Sequence, residues 1–382
     1  MVTAPAASSP DRAAPSPVPH TPWGRVVAVG LAVAALVAVV VLAFSWPSVT
    51  AEPHDLPVAV AGPQPAVESV RAALDEQQPG AVDLRQVDDR DAAVEAIRTR
   101  DVYGAVVLGV DGTPEVLTAS AASTATHQLM TGLAAQLQQQ LTAQAVAGLQ
   151  EAAAQGVVPP SDAALPAVTV TDVVPLSDED PRGTGLAAAL FPLVLGGMAG
   201  GIGISLAVIG AGRRILAVGV YAVVGGLVLT AIMQGWFGSL QGDWWWNAAA
   251  IALALAAIAA PITGLVAVLG RAGIAVGAVT MMLVANPISG ATMPPEFLPW
   301  SWGAIGQWFP PGAGGTLLRD LSYFPDASAA AAWTALGLWA GAGVLLSLVG
   351  HFRTAGGAEP DAEALQDEAL EHAAHRAEHA HP

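Results

Sequence analysis

Val26–Phe44 reads VVAVGLAVAALVAVVVLAF, nineteen residues in which every position is apolar or glycine. Such a run is long enough to cross a hydrocarbon core of roughly 30 Å as a helix. Trp23 and Trp46 bracket it, where interfacial indoles belong. A cleaved signal peptide is the rival reading, with Val49-Thr50-Ala51 as the cleavage site. The run exceeds the roughly 7–15-residue core of such peptides, and Arg25 is a thin basic flank, so an uncleaved signal-anchor is preferred. Five further uncharged stretches follow, at about 186–212, 215–237, 246–269, 272–292 and 328–350, each of spanning length. The sequence therefore predicts an α-helical polytopic membrane protein with six transmembrane helices. An α/β extracytoplasmic domain is inserted between helices 1 and 2.

Charge is distributed to match. The 382 residues carry 14 basic side chains, all arginine, and 31 acidic ones, for a net charge of −17. Residues 1–51 and 183–353 each sum to +1, residues 52–182 to −13, and residues 354–382 to −6. Arg25, Arg213, Arg214, Arg271 and Arg353 fall at ends that alternate to the same side, which the positive-inside rule makes cytoplasmic. Both termini are then cytoplasmic, in a plasma-membrane, multi-pass arrangement. The expected organisation is a disordered leader over 1–25, a first span over 26–46, an extracytoplasmic domain over 47–185, and a five-helix membrane domain over 186–353. A Pro/Trp-rich outer loop occupies 286–327, and an acidic, His-containing tail occupies 354–382.

The outer segment has a rhythm of its own. Leu56–Ala61, Ala81–Leu84, Val102–Leu108 and Ala167–Val174 read as strands, and Pro65–Gln77 and Asp88–Arg100 as helices. That order suggests a small sheet with helices packed on it. A Gln- and Ala-rich helix is expected over Ser123–Gln155. Its Leu129, Leu133, Leu137 and Leu141 form one stripe, suited to its own sheet or to a partner helix.

Several function classes drop out on composition. Lysine is absent, so no phosphate-binding loop of the G-x-x-x-x-G-K-[ST] type exists. Cysteine is absent too, which removes disulfides, thiolate metal sites and thiol nucleophiles. No Asp, Glu, Arg or His lies within the six stretches, which disfavours a proton-coupled carrier and suits lipid-like cargo or a packed anchor. An acidic outer domain without a basic patch argues against nucleic acid. His127 and Ser123 have no nearby acid for a triad, so no enzyme is expected and no cofactor is implied. His372, His375, His379 and His381, beside Glu371 and Glu378, allow metal binding or a solvated low-complexity tail. Asp178-Glu179-Asp180 supplies too few oxygens for calcium.

Two membrane features stand out. Gly196/Gly200 and Gly197/Gly201 are pairs four apart that admit another backbone, either within one subunit or across a homodimer. Trp46, Trp236, Trp244, Trp245, Trp246, Trp300, Trp302 and Trp308 all fall on the outer side, as an interfacial belt or as the lining of a lateral opening. The segment Asn286–Arg319, NPISGATMPPEFLPWSWGAIGQWFPPGAGGTLLR, cannot be one straight spanning helix. It is expected to leave the membrane near Pro294-Pro295, lie on the outer surface and return toward the last span, as short re-entrant or interfacial helices with irregular backbone buried in protein.

Within that segment Ser289-Gly290, the pair Pro294-Pro295, then Pro299, the aromatic turn, Pro310-Pro311-Gly312 and Leu317-Leu318-Arg319 resemble the last outer loop of ABC-2-type permeases. The YhgE/Pip, or phage-infection-protein, branch is the most similar. Leu56-Pro57-Val58-Ala59-Val60, Asp88-Asp89-Arg90-Asp91 and Val102–Leu108 add to the resemblance, which covers 26–350 in layout. It implies an exporter permease that works as a dimer with a separate ATP-binding subunit. The chain departs from the pattern in having a proline-rich leader and a cytoplasmic connection reduced to Gly212-Arg213-Arg214. That connection offers little surface to an ATPase and supports a non-transporting receptor or secretion accessory as the alternative.

Overall fold

A computed structural model describes residues 21–77, 79–109, 113–156, 166–353 and 370–372. It divides into two units, Met1–Ala43 and Phe44–Pro382. Helix α1 (Trp23–Val49) begins in the first. The leader before residue 21 and most of the acidic tail, with His375, His379 and His381, lie outside the described residues.

In the second unit the chain first builds a five-stranded sheet from β1 (Leu56–Ala61), β2 (Val82–Gln86), β3 (Gly104–Leu108), β4 (Pro114–Thr118) and β5 (Thr169–Asp172). Their order is β2-β1-β3-β4-β5, parallel except between β3 and β4. Helices α2 (Gln64–Gln77) and α3 (Arg90–Arg98) make the two crossovers that parallel pairing of β1 with β2 and β3 requires. Asp89 caps α3, its carboxylate accepting from the Ala92 N–H. Side chains alternate between faces, as the two-residue period of a strand dictates. Ala59, Ala105 and Leu117 meet Ala93 and Ile97 of α3 on one face. Leu56, Val58, Val106 and Val116 meet the long helix α4 (Thr124–Ala154) on the other. Of the leucine stripe, Leu129, Leu133 and Leu137 pack on that face around buried Met130 and Ala134, so three of its four leucines serve the domain's own sheet.

Among the described residues five helices are long and apolar enough to cross a membrane, and the protein is a helical, polytopic membrane protein. They are α1, α5 (Thr184–Ala207), α6 (Ala211–Thr230, extended by a π-helical turn to Trp236), α7 (Trp244–Leu269) and α11 (Ala330–Arg353). The stretch expected to span at 272–292 is shorter. It consists of α8 (Ala272–Val279) and a π-helical turn ending at Ala285. Fourteen helical residues rise only about 21 Å.

Helix α7 is the axis of the bundle, buried along nearly three-quarters of its apolar window where the other candidates are a third buried or less. Its neighbours approach at glycine. A Cβ on Gly197 would lie 2.8 Å from Ile258, and one on Gly201 3.0 Å from the Ala259 backbone. On α11, a Cβ at Gly343 would lie 2.2 Å from the Ala260 carbonyl carbon, and one at Gly350 2.4 Å from Ala267 O. These pairings rise in register, so α5 and α11 run parallel to α7. On α6, Gly226 meets Ala248 while Val218 packs with Ala259, and on α8, Gly273 meets Leu265 while Gly277 meets Ile262, so both run antiparallel. Arg213, Arg214, Arg271 and Arg353 consequently sit at one end of the bundle, and the α/β domain joins the other.

Gly196 and Gly200 face α6. The Tyr221 hydroxyl donates to Gly196 O at 2.6 Å, and a Cβ on Gly200 would come within 2.3 Å of the Tyr221 ring. All four glycines of the pairs are thus occupied within the subunit.

Candidate functional site

The segment after α8 does not lie flat on a surface. A 3-10 turn (Pro295–Phe297) and α9 (Trp302–Gly306) are followed by α10 (Pro310–Tyr323), which returns into the bundle. Pro310 and Pro311 open α10, where a missing N–H costs nothing, instead of breaking a helix. Leu317 and Leu318 join Leu186 and Leu190 of α5 and Ile251 and Leu255 of α7 in one core. Of the re-entrant and interfacial arrangements expected for this segment, α10 takes the re-entrant one. Burying those leucines outweighs exposing them, and α8 ends too early to cover the same ground. Glycine permits the tight fold: a Cβ on Gly306 would collide with Ile288 O, and one on Gly312 would lie 2.3 Å from Gly306 O. Ser289 secures the preceding turn by donating to Asn286 O and accepting from the Ala291 N–H.

This segment also completes the α/β domain. Phe324, just beyond α10, is buried in the face formed by Ala59, Ile97 and Leu117. Phe297 packs against the opposite face. Polar contacts reinforce the joint. The His54 N–H donates to Glu296 O at 3.0 Å, and the Tyr103 hydroxyl donates to Glu296 Oε2 at 2.9 Å. Arg100 pairs with the buried Asp320 carboxylate, with its guanidinium 5.3 Å from the centre of the Phe324 ring. Arg100 holds φ at +62° at the end of α3, a conformation that glycine adopts more cheaply. Its side chain is what glycine would lack.

Between the joint and α5 lies a cleft of about 50 Å³. Arg100, Tyr103, Arg319 and Tyr323 line it, together with Ser123 and Thr124 at the start of α4 and the Gly290–Pro295 strip. Burial pushes the Tyr103 phenol up, and the Glu296 charge adds to the effect. Burial also raises the Asp320 carboxyl, against the pull of Arg100. Arg319 is pulled down to about 10, by burial first and then by the charge of Arg100. Beside the cleft, a second cavity of about 180 Å³ is walled by Phe44, Pro47, Phe191, Pro287 and Leu298. The two share Ala187 and Gly290–Met293.

Of the residues singled out in the sequence, Gly290, Pro294, Pro295 and Arg319 therefore meet at the cleft, Ser289 walls the second cavity, and Pro310 and Gly312 hold α10 beneath them. Arg213 and Arg214 lie at the far end and part company. Arg213 is exposed, whereas Arg214 is 2% exposed and donates to Val208 O at 2.7 Å and Ser205 O at 3.1 Å. It caps the orphan carbonyls of α5. Asp180 caps the other end of α5, accepting from the Thr184 and Gly185 N–H groups at 3.0 and 2.7 Å. His127 hydrogen-bonds Thr118 Oγ1 at 3.1 Å, and Ser123 is the N-cap of α4. No group of three or more His, Asp or Glu among the described residues is arranged to hold a metal.

Sequence reasoning missed Arg100, Tyr103 and the Gly343/Gly350 pair. The last had a signal, since its spacing of seven returns to one helix face. Arg100 and Tyr103 had none, because their partners lie about 200 residues away. No protein-family model matches the chain, no curated protein matches it, and no solved structure matches it.

Proposed function

We propose that the chain is a permease-like membrane subunit that handles an amphiphilic or lipid-linked molecule, exporting it with a separate ATPase as ABC-2-type systems do. The observation carrying this reading is the mainly apolar cavity among the end of α1, α5 and the 286–298 strip, which adjoins a more polar cleft under the α/β domain and shares Ala187 and Gly290–Met293 with it. A lipid-like molecule needs such an apolar recess beside a polar one. The arginines gathered at the opposite end of the bundle support a cytoplasmic placement for that end in a plasma membrane, with the α/β domain outside. Reconstitution tests the reading. Vesicles holding the protein and an ATPase encoded beside it should move a fluorescent amphiphile on ATP addition. No movement, together with no ATPase recovered with the tagged protein, would end it.

One observation favours a second reading, a receptor or assembly scaffold. Arg214 is withdrawn into capping α5, so the α5–α6 connection presents Arg213 but no broad docking surface. On this reading the α/β domain carries the binding of an extracytoplasmic partner. Loss of that partner on mutating the domain's exposed face, with no ATPase bound, would select it.

A further inference from the structure

Arg319 is the feature of the cleft that nothing yet explains. It makes no hydrogen bond or ion pair with another described residue, yet burial depresses its basicity and Arg100 repels it. The carboxylates around it are committed elsewhere. Asp320 is paired with Arg100, Glu296 accepts from Tyr103, and both oxygens of Asp180 accept N–H groups of α5. Beside the guanidinium, Ser123 and Thr124 bring the positive end of the 31-residue helix α4 to the cleft. Arg319 is partly buried, and the Asp320 charge that favours its cationic form is shared with Arg100, so a bound oxyanion would supply a counter-charge of its own. The space exceeds the roughly 30 Å³ share of one water molecule. The adjoining cavity, which shares the Gly290–Met293 strip as lining and is bounded by Phe191 and Leu298, is more apolar than polar and more than three times larger.

We propose that cleft and groove together form a binding site for an amphiphile with an oxyanion head group. The phosphate or carboxylate sits against Arg319, and the hydrocarbon chain lies along Phe191 and Leu298. The proposal deepens the permease reading by naming the head group. It is tested by binding alone, without ATPase or transport, so either can fail without the other.

The full-length protein in a neutral detergent would be titrated with oleoyl-lysophosphatidate, oleoyl-lysophosphatidylcholine and inorganic phosphate, with binding counted by native mass spectrometry. Lysophosphatidate should bind at least ten-fold more tightly than the choline ester of the same chain. Arg319→Gln should remove that preference, Arg319→Lys should keep part of it, and Arg213→Gln at the opposite end should leave it intact. Because Arg319 satisfies no partner, the glutamine variant should melt no lower than the parent. A lower melting temperature with unchanged preference would make Arg319 structural and overturn the proposal. Equal binding of the two lipids would overturn it as well. Inorganic phosphate binding as tightly as lysophosphatidate would overturn the groove's part in it. Should the glutamine variant not fold, an unaltered preference in Arg319→Lys would decide against the site, and a several-fold loss would support it.

Discussion

The α/β domain and the helical bundle are each built around one buried element, β1 in the first and α7 in the second, but different chemistry surrounds them. On the α4 face of the sheet the core is built from branched side chains, with Val58 of β1, Val106 and Val116 all at most 2% exposed. Around α7 leucines also pack, but the closest approaches are made by glycine to backbone. Water drives the first kind of core through apolar area. Lipid tails offer a leucine nothing that another leucine does not, so the second kind depends on close packing. The same substitution should accordingly have opposite meanings in the two regions.

Adding atoms is the sharpest way to break the bundle. Gly343→Leu puts a side chain where a Cβ alone already meets the Ala260 backbone at 2.2 Å. No rotamer relieves a clash with backbone, so α11 must separate from α7. The cost should exceed the roughly 1–3 kcal/mol of ordinary overpacking. Gly337→Leu on the same helix meets nothing within 4 Å and serves as control. Melting of the two variants in detergent should separate them clearly, and equal melting would refute the α7–α11 register. The domain should fail in the opposite way, by removal. Phe324→Ala deletes a fully enclosed ring from the face shared by Ile97 and Leu117, at about 3 kcal/mol. The loss should appear as faster proteolysis of the domain, although the mutation lies between α10 and α11, about 200 residues from the strands it supports.

That last point explains what the sequence made legible. The strands around Leu56–Ala61 and Val102–Leu108 declare themselves as short apolar runs, and α4 by its leucines, because period and burial act locally. β4 was hidden: five residues that begin with Pro114 and Glu115 carry little strand signal, and only pairing with β3 and β5 creates it. The spans were legible as apolar runs, but a run says nothing about which face meets which helix. Their glycine contacts therefore had to be seen. The short α8 was read as too long for a related reason, since Asn286–Gly290 is uncharged yet turns away. Half of the cleft was visible as the unusual Ser289–Arg319 segment. Its other half, Arg100 and Tyr103, is joined to it only by the fold.

The polar joint offers a smaller test of how firmly the two regions are coupled. Tyr103→Phe keeps the ring and removes the bond to Glu296 Oε2. A carboxylate left partly buried with one partner fewer should cost roughly 1–2 kcal/mol. Hydrogen exchange should then rise at the 295–297 turn before it rises in α7. Simultaneous loosening of α7 would mean that domain and bundle unfold as one.

The smallest effect belongs to an ion pair that touches neither the bundle nor the joint. Arg90 Nε and Nη2 donate to the two oxygens of Glu115 at 2.7 and 2.9 Å, and Thr171 Oγ1 adds a third bond at 2.7 Å. The Arg90 bond, then that of Thr171, holds the Glu115 carboxyl below its usual value against the opposing effect of burial. A depressed folded value means that the unfolded chain takes up protons first as pH falls. The stabilisation is therefore complete above the unfolded value near 4.5 and is lost as pH drops through the lower folded one. With the arginine side chain 46% exposed, solvent screening keeps the contribution below roughly 1 kcal/mol. Glu115→Gln should flatten the acid limb of the domain's unfolding curve between about pH 5 and pH 3 and leave neutral stability nearly unchanged. Raising the salt concentration should shrink the difference between parent and variant, because an exposed pair is screened where the glycine contacts around α7 are not. An acid limb unaffected by the substitution would place the titrating group elsewhere in the domain.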